Sequence, residues 1–158
     1  MIRAREVGVL LALCLFLIPL LLFGGVANTS IPQSEEEWAT RIQAIGGEKA
    51  YRVWEQGVRQ LGGSQKHTQA HFFGGALYGA EGLDGLSVCD TQFAYGCFHE
   101  FFGRAIAELG PSSVTKLNER CFKDLGTGGL ACQHGIGHGV QALYGYTERD
   151  LLQALDAC

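Results

Sequence analysis

Residues 67–79 read HTQAHFFGGALYG, and the pattern returns twice, as CFHEFFGRAIAELG at 97–110 and CQHGIGHGVQALYG at 132–145. Each segment places apolar residues three and four apart, the spacing that lines one face of an α-helix. Each carries a histidine at or near its start. Each then turns into a second segment that runs to a cysteine: GLDGLSVC at 82–89, PSSVTKLNERC at 111–121 and TERDLLQALDAC at 147–158. The leading histidines His67, His99 and His134 are 32 and 35 residues apart, and the closing cysteines Cys89, Cys121 and Cys158 are 32 and 37 apart. A period of about 34 residues with two helices per unit is the signature of an α/α solenoid. The expected fold is therefore all-α: an N-terminal transmembrane or signal helix, then a short disulfide-stapled α/α solenoid of about three to four helix pairs.

Working toward the N-terminus, Ser34-Glu35-Glu36-Glu37 has the form of a capping box, in which the serine caps the first turn and Glu37 reaches back. Trp38, Ile42 and Ile45 follow at helical spacing, and Gly46-Gly47 ends that helix. Ala50, Trp54, Val58 and Leu61 mark a second amphipathic helix closed by Gly62-Gly63. Ser64 is placed to cap the third, which holds the first histidines. Further along, Pro111 suits a first helical turn, and Thr147 with Asp150 forms another capping pair.

Residues 7–26, VGVLLALCLFLIPLLLFGGV, are apolar without a charge, behind Arg3 and Arg5. About 20 such residues span a bilayer as a helix, and the positive flank retains the N-terminus in the cytoplasm. The reading favoured is a membrane anchor over 1–27. The competing reading is a cleaved signal peptide, with small residues at Gly25 and Ala27. Both place a linker at 28–33 and an exported repeat domain at 34–158 on the extracytoplasmic side of the cell envelope. The order of the last unit adds an expectation about the end of the chain. Cys158 has no following partner, and Leu151, Leu152 and Leu155 lack a capping element, so the domain is expected to be C-terminally truncated.

The net charge of −4, with basic residues scattered, gives no electrostatic footprint for nucleic acid. Twenty-three glycines against three prolines suit close-packed helices that stop often, not a Pro-rich stalk. Export makes disulfides the expected state of the cysteines. Cys89 ends one second helix and Cys97 begins the next first helix; Cys121 and Cys132 hold the same positions one unit later. Repeat symmetry therefore pairs Cys89 with Cys97 and Cys121 with Cys132, each worth about 2–3 kcal/mol. The rival, thiolate metal ligation, lacks the tight spacing of zinc knuckles. Cys-x-x-Cys is absent, which argues against redox catalysis.

The segments ALYGYTERDLLQALDAC at 142–158 and CDTQFAYGC at 89–97 resemble the tetratricopeptide superfamily, in particular its exported cysteine-rich members with disulfide-bridged helix pairs. The resemblance covers roughly residues 64–158 and concerns architecture. It implies stacked helices and a groove that takes a protein partner. It departs from the family in the longer segment between Cys121 and Cys132, and it implies nothing about the histidines.

Those histidines carry the functional expectation. His67 and His71 share a helix face, as do His134 and His138, because residues four apart lie one turn above each other. Two residues apart point to opposite sides, so Cys97 and Cys132 turn toward their bonds while His99 and His134 turn away. Glycines at 74, 75, 103, 135, 137 and 139 allow close approach of helices or a ligand. Two histidines one turn apart are a common start to a metal site, with His99 or Glu100 as a further ligand. His99 is the weakest of the set, since Gly103 stands where its own i+4 partner would be. The expected site is His67, His71, His99, His134 and His138 around zinc or iron. His-Glu-x-x-His is absent, which removes a zinc-protease general base, and no Cys-x-x-Cys-His offers covalent haem. The function expected is a membrane-tethered extracytoplasmic domain with a metal-binding histidine groove. The alternatives are a partner-binding scaffold with structural histidines, and a metal-dependent enzyme of unknown reaction.

Overall fold

The computed structural model describes residues 31–157. The expected anchor at 1–27, the first half of the linker and Cys158 lie outside them. Among the described residues, no helix is long and apolar enough to cross a membrane.

The described chain is all-α. Helix α1 spans Glu35–Ile45, α2 Gly47–Val58, α3 Gly63–Glu81, α4 Gly96–Leu109, α5 Val114–Leu125, α6 Gly129–Tyr144 and α7 Glu148–Asp156. Ser34 caps α1 by accepting from the Glu37 N–H at 3.2 Å, and Glu37 reaches back one residue further than a capping box requires, to the Gln33 N–H. Gly46 ends α1 with φ of 82°. Glu81, at the far end of α3, accepts from the Gly47 N–H at 2.6 Å, placing a carboxylate on the positive end of α2. Thr147 and Asp150 form a complete capping box at α7, at 3.3 and 3.0 Å.

Two local expectations change. Ser64 lies inside the first turn of α3; the cap is Gly62, whose N–H donates to the Gln65 side chain at 3.1 Å. The segment GLDGLSVC forms a 3₁₀ turn over Gly82–Val88 rather than an α-helix. Three glycine or β-branched positions in seven residues lower α-helix propensity, and Leu86 is buried within this turn. A second 3₁₀ turn, Pro111–Ser113, leads into α5.

Helices α3, α4 and α6 lie side by side, with α4 in the middle. Helices α1 and α2 pack on α3, and α5 and α7 pack on α6. Glycines permit the close approach within the row. A Cβ at Gly74 of α3 would stand 2.1 Å from the Cys97 carbonyl oxygen of α4. Cβ atoms at Gly135 and Gly139 of α6 would stand 2.7 Å from Phe98 and 2.8 Å from the backbone of Phe102. Gly137 faces open space instead, and a Cβ at Gly103 would meet only the Glu100 carboxylate, at 3.9 Å.

The core runs along this row. Trp38, Trp54 and Phe73 are fully buried where α1, α2 and α3 meet, with ring centroids 5.3–5.5 Å from Phe73. Phe98, Phe101, Phe102 and Ile106 fill the space around α4, and Leu117, Ile136 and Val140 continue it toward α5 and α6. Ile45, expected on the buried face of α1, is the last residue of that helix and is 40% exposed. The cysteines bond as two pairs, Cys89 with Cys97 and Cys121 with Cys132, with Cα atoms 5.5 and 5.7 Å apart. The first fastens the end of the 3₁₀ turn to the start of α4, and the second fastens α5 to α6.

Candidate metal centre

All five histidines converge across the row. His67 and His71 come from α3, His99 from α4, and His134 and His138 from α6. They form two groups of three that share His99: His67, His71 and His99, and His99, His134 and His138. Within each group, one nitrogen from every ring lies within 4.8 Å of the others. His99 is therefore the hub. The missing i+4 partner mattered less than the position of α4 between two helices, each of which brings its own pair.

In the first group the tautomers are constrained. The His67 Nδ1 lies 2.8 Å from the Phe93 carbonyl oxygen. A carbonyl only accepts, so Nδ1 carries the proton and Nε2 is left with its lone pair. That Nε2 is 3.1 Å from Nε2 of His71, which is 3.4 Å from Nδ1 of His99. In the absence of an ion His71 Nε2–H donates to that lone pair of His67, and a cation between the rings would take the place of this proton. The other nitrogen of His71, Nδ1, lies 3.7 Å from Glu100 Oε2. At that distance the carboxylate faces the ring edge without a short hydrogen bond. Glu100 thus stands behind His71 rather than beside it as a ligand.

Phe93 was not legible as part of the site. It belongs to a run with φ of 55°, 52° and 62° at Phe93, Ala94 and Tyr95, left-handed backbone that non-glycine residues rarely adopt. Such residues cost roughly 1–3 kcal/mol each unless their surroundings hold them, and they gather at functional sites. Here the Cys89–Cys97 bond closes the loop, and the Phe93 ring packs edge-on against Trp54 at 4.8 Å. Gly96, at the loop's end, allows the approach, since a Cβ there would meet the His67 carbonyl at 2.9 Å. The Tyr95 ring stands 5.2 Å from His134.

The second group is more open. His134 and His138 are exposed, with ring centroids 4.6 Å apart and 5.1 and 4.1 Å from His99. The Nε2 atom of His99 is buried and has no hydrogen-bond partner. Burial, then the rings of His138, His71, His134 and His67, push the His99 imidazole down to about 3, so it is uncharged at neutral pH. Burial and the neighbouring histidines also lower His138. Beside the first group a cleft of about 370 Å³ is lined in part by Glu35, His71, Phe72, Glu100 and Arg104. Arg104 bridges the two carboxylates, 2.6 Å from Glu35 and 3.1 Å from Glu100. Contact with His71, and after it Arg104, holds the Glu100 carboxyl below its ordinary range despite its burial. Glu35 looked like a first-turn residue of α1 alone, and Arg104 carried no sequence signal; only the packing of α1 against α3 and α4 brings them to the cleft.

Imidazoles grouped in threes are ligands for borderline divalent ions, and three of them leave coordination positions free. Compared with models of known protein families, with curated proteins and with solved structures, this chain matches none. The tetratricopeptide resemblance gains no support from a match, and what stands is an all-α chain with two disulfides and histidine groups able to hold a metal.

Proposed function

We propose that this chain is an exported, envelope-tethered helical domain that binds a divalent metal, zinc or iron, in the histidine groove along α3, α4 and α6. The observation that carries the reading is the meeting of five imidazoles from three helices as two groups sharing His99. Two features support ligation over structural packing. The Phe93 carbonyl sets the tautomer of His67, and Glu100 stands behind His71, the outer contacts that orient metal-binding histidines. The buried His99 Nε2 meets no hydrogen-bond partner, as a nitrogen awaiting an ion would. The disulfides fit an oxidising compartment, and residues 7–26 supply the tether in this reading.

Metal analysis of the purified full chain is the direct test. It should retain metal through dialysis and release it to chelator, and His71→Ala and His138→Ala should each reduce the amount bound. A chain that holds no zinc, iron or copper above background, with both variants unchanged, would sink the reading. A second reading, a partner-binding scaffold built as α/α repeats, draws on Tyr146, Leu152 and Leu155, which are 71%, 61% and 70% exposed. A third, a metal-dependent enzyme, draws on the cleft beside His71, where an open coordination position would face Glu35, Glu100 and Arg104.

A further inference from the structure

We infer that the groove holds two divalent ions, not one, and that His99 bridges them as an imidazolate, with His67 and His71 completing one ion's protein ligands and His134 and His138 the other's. The inference rests on the metal-binding reading above and deepens it.

The argument starts from what each ring has left to offer. His67 spends Nδ1 on the Phe93 carbonyl, so only Nε2 can ligate. His71 turns Nδ1 toward Glu100 and Nε2 toward the group. Both are terminal ligands. His99 differs. Its Nδ1 edge faces His71 at 3.4 Å. Its Nε2, on the other side of the ring, is buried without a partner, and the ring lies 4.1 Å from His138 and 5.1 Å from His134 between centroids. One ion bound through Nδ1 of His99 would leave Nε2 buried and unsatisfied, a penalty of about 1–3 kcal/mol. Two ions satisfy both. The membership of His99 in both groups is the geometric statement of the same fact.

The chemistry balances simply. A first ion displaces solvent and binds the neutral His99 through its lone pair. The second ion takes the position of the remaining N–H proton, which passes to solvent, and the bridging ring carries one negative charge between two dications. Two metal–nitrogen bonds near 2.0–2.1 Å with the ring between them separate the ions by about 6 Å. That exceeds the roughly 3.5–4 Å of sites that clamp one phosphoryl group between two metals. The ions are also unlike: one borders the cleft with Glu100 behind its ligand, while the other is held by exposed side chains.

Copper(II) is the probe, because an imidazolate couples two Cu²⁺ spins and a terminal histidine does not. The full chain, with disulfides intact, is stripped with chelator, loaded with Cu²⁺ and examined for copper content and EPR intensity at low temperature. Two coppers per chain are expected, with most of the EPR signal lost. His99→Ala should restore signal in proportion to bound copper, and His138→Ala should leave one copper with full signal. Far-UV circular dichroism and disulfide mapping check that the variants fold. A measurement on the unaltered chain guards against a His99 variant that does not: loading with one equivalent each of Zn²⁺ and Cu²⁺ should bring the signal back. Two coppers with full additive signal, or one copper per chain, would overturn the bridge while leaving metal binding intact. No bound copper would overturn both.

Discussion

At the scale of single residues, two glycines make opposite demands on the same row of helices. Gly74 must lack a side chain, because a Cβ would stand 2.1 Å from a backbone oxygen that cannot rotate away. Gly74→Ala should destabilise the fold by about 1–3 kcal/mol, the usual range for overpacking. Gly137 sits within α6 with nothing within 4 Å of a Cβ, so Gly137→Ala should be neutral or stabilising by up to about 1 kcal/mol. Urea unfolding followed by circular dichroism separates the two; equal effects would show that α3 and α4 are not so close. His99 makes the pH prediction. Its folded pKa of about 3 lies below the unfolded value of about 6.5. Below 6.5 the unfolded chain takes up a proton that the folded chain refuses until about 3. The stability of the metal-free protein should therefore be full above pH 6.5 and fall as pH drops through that window. His99→Gln should flatten the slope. A metal-free protein as stable at pH 5 as at pH 7.5 would mean His99 is not held uncharged.

At the scale of elements, the two disulfides have different work. Cys121–Cys132 fastens α5 to α6, and replacing both cysteines with alanine should lower stability by about 2–3 kcal/mol. Cys89–Cys97 also closes the left-handed loop that holds the Phe93 carbonyl on His67. Removing it should lower metal affinity by about 10- to 100-fold, the range for losing an outer contact to a metal ligand. Calorimetric titration of both double variants checks this, and equal affinities would dismiss the loop as an orienting device. Trp54 restrains the same loop from the other side through the Phe93 ring.

At the scale of the whole molecule, stability should be unevenly spread. Around α4 the chain buries Phe98, Phe101, Phe102 and Ile106, whereas α7 buries Ala154 and leaves Leu151, Leu152 and Leu155 at 42%, 61% and 70% exposure. Amides of α7 should exchange with solvent earliest among the helices, and those of α4 latest. Metal should raise the unfolding temperature of the whole by mass action, about 2.7 kcal/mol at a hundredfold excess over Kd. Hydrogen exchange with and without chelator reads both, and protection gained only on α3 would argue for a single ion.

The order of amino acids alone determined that this chain is helical, where its cysteines could pair, and which histidines share a face, because helical spacing and four-residue neighbours are local properties. It was legible that Trp38 and Ile42 share one face of the first helix, which is buried, and that Ser34 begins that helix. It was not legible that GLDGLSVC winds as 3₁₀, that Glu100 stands behind His71, or that Phe93, Glu35 and Arg104 join the site. Each depends on distances across helices set by packing. The place of His99 is the clearest case. By sequence it lacks a partner one turn away, and only the lateral packing of α4 between α3 and α6, at glycines where backbones nearly touch, gives it four.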